Sequence, residues 1–576
     1  MMMKRTVMVI LSLVLCISLL SGCGGNQAVS DTGQTASSEQ ANKGAQAPVS
    51  GEPDKEQYLN TYISADPTSF DVSLRSDSYS STMIINTMEG LIRTIEVDGE
   101  YVTSPGDAQT WESTEDGLVW TFHLGDNKWT DGEAVTADQY VYSLKRSADP
   151  AVGCPNGWFL SPVLNYEAIS NGEMSVDELG VKALDEKTLQ ITLSAVTPAF
   201  LKMCDATIYY PQRQDKVEAF GEKYGSDVQY IISNGPFYLD SWTRNSALVL
   251  KKNPNYWDKD SVKLETINFA VMSETSTITS AYESGEIDEV SVAYQEWVDK
   301  FTAREDSKYQ KTVNNSILFS FYNTKDALFQ NANIRKAFTL AIDREDANIM
   351  CYSGLRLPTY GWVVPTISVG DTNFREKAGD PIKEMIDDLK AEGKTPKDLL
   401  LEGMKELGLG DDPSTLNVTF SLGGTTEWFK TLGDYLQQTY KAEMGLDVNI
   451  TFNDWSLFYN NVETGNYQMG YMSWGAYYDD PYDVLSIFKS EYDQVSTGWA
   501  NAEYDELIDN AGIELDADKR LQYYMDAEKI LIKEACVVSP MQTSTTNGFF
   551  RKFVYGFNTL GFSNAGYKYV YTSGRK

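Results

Sequence analysis

Between Leu416 and Phe452 the chain carries a strand, a helix and a second strand in close succession. Leu416, Val418, Phe420 and Leu422 alternate with polar residues at the two-residue period of a half-buried strand. Trp428, Leu432, Leu436 and Tyr440 then recur at four-residue spacing, which makes one helical face apolar. Val448, Ile450 and Phe452 resume the alternation. A β–α–β succession buries both elements only by laying the helix on the sheet, so the chain falls in the α/β class.

The same two periods recur along the chain. Strands are expected at Tyr58–Ile63, around Trp120, Phe122 and Leu124, around Leu189, Ile191 and Leu193, and around Ile267, Phe269 and Val271. Helices are expected around Ile334, Phe338, Ala341 and Ile342, over 502–513 and over 517–532. Thr136-Ala137-Asp138-Gln139 has the capping-box pattern, and Lys145 and Arg146 suit the last turn of the helix it opens. At 576 residues and 64.4 kDa the chain exceeds what one core organises, so at least two lobes share it.

Lys4 and Arg5 precede an apolar run over 7–20 that is short for a membrane span and has the layout of a secretory signal. Leu20-Ser21-Gly22-Cys23 closes it and resembles the lipobox of bacterial lipoproteins, which are cut before the Cys and acylated on it. That resemblance implies a signal peptide over 1–22, a lipid anchor on Cys23 and a place on the extracytoplasmic face of the cell membrane. Residues 24–57 contain no aromatic side chain and too little apolar surface to fold. With Cys23 they are expected to form a disordered tether reaching roughly 30–35 Å.

The stretch 471–483 crowds one Trp, four Tyr and three Asp around Gly475 and Pro481. Amphipathic rings offer rigid contact area with a polar handle, a glycine lets another backbone approach, and carboxylates answer a cation. It reads either as the floor of an organic-ligand site or as a strand end running into a proline turn, its rings packed on a helix.

Trp120-Thr-Phe-His-Leu124, Lys128-Trp-Thr-Asp-Gly-Glu-Ala-Val-Thr-Ala-Asp138 and Tyr142-Ser-Leu-Lys-Arg-Ser-Ala-Asp-Pro150 resemble the signature of the oligopeptide- and dipeptide-type solute-binding proteins of ABC importers. Asn234-Gly-Pro-Phe237, Lys252-Asn-Pro-Asn-Tyr-Trp257, Ser284-Gly-Glu-Ile-Asp288, Ala341-Ile-Asp-Arg344 and the residues around Trp474 follow in the same order. The resemblance runs from about Tyr58 to the C-terminus. It implies a two-lobe architecture like that of type II periplasmic binding proteins, with a domain inserted in the first lobe and a hinge over the ligand cleft. Projected on this chain, the first lobe comprises 58–87, 195–311 and 536–576, the inserted domain 88–194 and the second lobe 312–535.

The resemblance further implies a monomer that captures a peptide and delivers it to an ABC permease. Main-chain groups at Ser473, Trp474 and Gly475 would hold the ligand backbone, within a site formed by these residues, Ala476, Tyr477, Tyr478 and, from a helix start upstream, Trp455. The chain departs from the family's peptide binders where they place an Asp that pairs with the peptide's α-ammonium, because Tyr477 stands there. Tyr471 and Val462 likewise occupy positions that are basic in the enteric oligopeptide binder. The nearby Asp479 is expected to serve the turn through local backbone bonds. With both charged anchors replaced, a longer peptide held mid-chain, an oligosaccharide stacked on rings, or another small organic solute also fits.

Catalytic readings lack their residues. His123 is the only histidine and has no triad to join, and no G-x-S-x-G, P-loop, H-E-x-x-H or complete G-x-G-x-x-G occurs. A surface hydrolase built on a carboxylate pair such as Asp479 and Asp480 is the rival reading, weakened because adjacent residues of an extended chain point apart. No metal, cofactor or catalytic residue is assigned. The net charge of −34 argues against nucleic acid or an anionic bilayer as a docking surface. Cys154, Cys204, Cys351 and Cys536 are scattered without a C-x-x-C pair, which leaves disulfides and free thiols both open.

Overall fold

The computed structural model describes residues 51–97, 99–559, 561–562 and 566–575. The expected signal peptide, the lipidation of Cys23 and most of the tether lie outside the described residues. Three sheets organise the rest. In the first, Tyr58–Ile63 pairs parallel with Thr266–Val271, followed antiparallel by Ala247–Lys252 and Phe237–Thr243. Leu59, Phe237, Leu250, Ile267 and Phe269 bury the core of this sheet.

The second sheet, antiparallel throughout, runs Ala108–Ser113, Val119–Leu124, Thr188–Thr192, Val181–Asp185. The helix Ala137–Ala148 packs on it behind the expected capping box, where Gln139 Oε1 accepts from the Thr136 N–H at 3.1 Å. Arg146 closes that helix with two 2.7 Å bonds to the Asp71 carboxylate. Here the motif residues are structural. Asp107 accepts from Asn127 Nδ2 at 2.6 Å, the Tyr140 hydroxyl at 2.8 Å and Asn234 Nδ2 at 3.0 Å, and burial raises its carboxyl well above the usual range. Such a network holds only when every member is satisfied.

The third sheet carries seven strands. Its main path is Glu289–Val292, Val538–Arg551, Ser307–Tyr322, Met469–Gly475, Val418–Leu422, Val448–Phe452, with Leu357–Pro358 beside Val538–Arg551. Val418–Leu422 and Val448–Phe452 are parallel and Glu427–Met444 is the helix between them, the β–α–β unit expected from the sequence. Ser307–Tyr322 and Val538–Arg551, 16 and 14 residues long, pair with each other and span the sheet from Glu289–Val292 to Met469–Gly475. Their register shifts between Val313 and Ile317, so Asn314, Asn315 and Ser316 fall out of the ladder with Val538–Arg551.

Order begins ahead of Tyr58. Gln57 Nε2 donates to the Thr572 carbonyl at 2.8 Å, Thr572 N–H donates back to Gln57 Oε1 at 2.9 Å, and Asp54 Oδ1 accepts from Gly574 N–H at 2.7 Å. Residues 52–57, expected to belong to the tether, are instead part of the folded body, because their polar side chains find main-chain partners near the C-terminus that composition cannot reveal. The four cysteines are unpaired thiols, each raised in pKa by burial. Among the described residues no helix is long and apolar enough to cross a membrane.

Candidate functional site

The stretch 471–483 starts as strand and ends as a turn. Pairing with Ser307–Tyr322 continues to Gly475, opposite Ser316, whereas the partner on the other side, Val418–Leu422, stops opposite Tyr471. Met472 to Gly475 thus present one edge with no strand beside it among the described residues. Unpaired N–H and C=O groups along such an edge can pair with another extended chain. Asn315 fixes the end of this edge, since its carbonyl accepts from Ala476 N–H at 2.8 Å and its amide donates to the Ala476 carbonyl.

Ser473 and Gly475 are exposed. A Cβ added at Gly475 would meet only Ser316 Cβ, at 3.8 Å, so the space above this glycine is open. Trp474 is half-buried against a core that includes Ile317 and Val484, and its indole N–H has no partner among the described residues. Trp455 is 53% exposed and stacks on Tyr459 at 5.8 Å. A Cβ on Gly423, which follows the last paired residue Leu422, would lie 2.9 Å from Trp455 Cε3. The Trp455 ring therefore stands over the end of the neighbouring strand, at the mouth of the open edge.

Beyond Gly475 the chain turns toward the second sheet. Tyr477 remains 55% exposed yet meets Trp158 and Phe159 edge-on, with ring centroids 5.0 and 5.5 Å apart. Ala476 is buried, and Tyr478 packs into the core around Phe159, Phe200 and Tyr209 rather than toward an open cleft. Asp480 accepts from Tyr482 N–H at 3.0 Å and from the Tyr524 hydroxyl at 2.9 Å, and Asp483 accepts from Tyr477 N–H at 2.5 Å. Burial pushes the Asp483 carboxyl up to about 7 against the lowering effect of the Tyr477 and Tyr478 amides.

Asp479 does not serve the turn as expected. Its carboxylate accepts from Lys202 Nζ and from Ser368 N–H, both at 2.6 Å, and the local backbone bonds come from Asp480 and Asp483 instead. The reason is direction, since Asp479 points out of the turn toward neighbouring segments while the other two lie beneath it. Tyr471 and Val462 are buried, the Tyr471 hydroxyl lying 2.5 Å from that of Tyr352. Neither position supplies a charge to the site. Trp158, Phe159, Lys202 and Asn315 were not marked by the sequence reading. Only the adjacent rings at 158 and 159 offered a local signal.

Residues 103–496 match the model of the bacterial extracellular solute-binding proteins, family 5 middle. The chain is 32% identical over 510 residues to the dipeptide-binding protein DppE of Bacillus subtilis, covering 88% of this chain and 90% of that protein. Among solved structures it is similar to the substrate-binding domain of an oligopeptide ABC transporter from Bacillus anthracis, with a TM-score of 0.70 at 30% identity, covering 90% of this chain and 99% of that one. It is also similar to Listeria monocytogenes OppA bound to peptide, with a TM-score of 0.69 at 27% identity, covering 91% and 100%. The α/β architecture is accordingly the two-lobe fold of type II periplasmic binding proteins.

Proposed function

Since the chain belongs to the bacterial extracellular solute-binding proteins of family 5, we propose that it captures peptides between its lobes and passes them to an ABC permease while anchored to the membrane through acylated Cys23. The observation that carries the peptide reading is the open strand edge from Met472 to Gly475, where an extended ligand completes the sheet with main-chain bonds. Recognition through the main chain tolerates many ligand side chains, as a nutrient importer requires. Lobe closure about the register shift at Asn314 to Ser316 places binding free energy into the closed form that a permease would select.

The loss of both charged anchors shapes the ligand. With Tyr477 where an amine-binding Asp stands in the family's peptide binders, this site favours peptides held along their backbone over peptides held by a free terminus. Calorimetry with a peptide, its backbone N-methylated counterpart and a set of oligosaccharides tests the reading. N-methylation at the paired positions should abolish binding, because it removes donors that an open edge must receive. Equal affinity for both forms would transfer the site to the aromatic rings, and an oligosaccharide stacked on Trp455 would then be the ligand. Fatty-acid labelling that marks the wild type and not Cys23→Ala checks the anchor.

A further inference from the structure

A cavity of about 290 Å³ opens in the first lobe, away from the 471–483 stretch, between the end of Tyr58–Ile63 and the strand Glu289–Val292. Five of its lining residues are aromatic: Tyr62, Tyr79, Phe269, Phe550 and Tyr567. A sixth is Glu289. Both donors to this carboxylate fall on the same oxygen, since Thr61 Oγ1 lies 2.5 Å and the Tyr567 hydroxyl 2.8 Å from Oε1. Among the described residues Oε2 has no partner, and no lysine or arginine pairs with Glu289. Arg575 pairs instead with the adjacent Asp288 at 2.9 Å.

The Glu289 carboxylate is half-buried at the cavity wall with no counter-charge among the described residues, and its partial desolvation raises the carboxyl above the usual range. Ring faces offer the complementary feature, because their quadrupoles attract a cation that has left water. The cavity is of the size that admits a small organic group rather than a lone water. A hydroxylic ligand would gain only a hydrogen bond from the unpaired carboxylate oxygen, whereas a primary ammonium gains that bond, the opposite charge and the ring faces together.

We propose that this first-lobe cavity binds an organic ammonium group, with Glu289 as its counter-charge and the rings of Tyr62, Tyr79, Phe269 and Tyr567 as its walls. The ammonium can belong to a free alkylamine or to a lysine-type side chain, and the chemistry of the site is the same for both. The proposal does not rest on the peptide reading, since every lining residue lies outside the open strand edge.

Two arms test it on the full soluble body. In the first, n-butylammonium and its neutral counterpart 1-butanol are titrated by tyrosine-sensitive fluorescence and by saturation-transfer NMR. In the second, Ala-Lys-Ala is compared with Ala-norleucine-Ala by calorimetry. Wild type should bind n-butylammonium, or prefer the lysine peptide, at least tenfold over the neutral probe, and Glu289→Gln should erase that preference. Preference in the first arm assigns a free amine, and preference in the second alone assigns a ligand side chain. Tyr79→Leu, which removes a wall and no charge, should weaken ammonium binding severalfold and carries the test if Glu289→Gln does not fold. Absence of charge preference in both arms, or its persistence in folded Glu289→Gln, would overturn the proposal.

Discussion

Lys202 Nζ lies 2.6 Å from both the carboxylate and the carbonyl oxygen of Asp479, so one ammonium clasps the turn that follows the open strand edge. Lys202 sits in the short helix Phe200–Met203, whose Phe200 and Met203 pack in the core around the second sheet, together with Tyr478. The pair thus ties the candidate site to that core. Lys202→Met would leave the nearly buried Asp479 with the Ser368 amide alone, and urea unfolding should show a loss of about 1–3 kcal/mol. Asp479→Asn should cost less, and the double variant less than the two single losses added. Strict additivity would mean that the ion pair contributes nothing.

The folded body reaches back to residues 52–57, and two truncations separate it from the tether. Removing 24–50 should leave the melting temperature unchanged. Removing 24–57 deletes the bonds of Asp54 and Gln57 to Thr572 and Gly574. At about 0.5–1.5 kcal/mol per hydrogen bond, a loss of roughly 2–4 kcal/mol is expected in unfolding measurements. Equal stability of the two truncations would place the start of the body at Tyr58.

Asp483 makes stability depend on pH in a definite direction. Its carboxyl titrates near 7 in the folded chain and near the ordinary 3.8 when unfolded, so the folded state holds the proton more tightly. Its contribution is therefore complete below about pH 4 and is lost as pH rises through 7. A shift of about three units corresponds to at most roughly 4 kcal/mol. Asp483→Asn keeps an acceptor for the Tyr477 amide and removes the titration. The stability difference, wild type minus variant, should fall between pH 4 and pH 7 and stay level above pH 8. A difference independent of pH would show that Asp483 titrates normally.

The sequence revealed several elements in which one face is buried and the other wet. Val418–Leu422 and Glu427–Met444 are such cases, and their apolar periods match the strand and helix found. The long strand Ser307–Tyr322 escaped notice because its first ten residues are mostly half-buried, and Lys311, Asn314 and Asn315 break any alternation. Pairing with Val538–Arg551, more than two hundred residues away, makes it a strand, and no local pattern encodes that partner. In the site, Trp474 and Tyr477 stood out by composition. The open edge did not, since it depends on where Val418–Leu422 stops. Lys202 was invisible for the same reason, its partner lying 277 positions along the chain.

Tyr477 provides the sharpest probe of how a ligand lies. Its ring closes against Trp158 and Phe159, so the position faces the space between the turn and the second sheet rather than the core. Tyr477→Asp would remove those ring contacts, worth about 0.5–1.5 kcal/mol each, and place a carboxylate at the position that binds an α-ammonium in the family's peptide binders. If the amino terminus of a bound peptide reaches residue 477, the variant should favour free peptides over their acetylated forms by tenfold or more, while wild type shows little preference. Matched calorimetric titrations of the two proteins with both peptide forms measure this directly. A variant that binds both forms equally would place the amino terminus elsewhere. The open edge at Met472 to Gly475 would then hold the middle of a longer chain, as the replacement of both charged anchors implies.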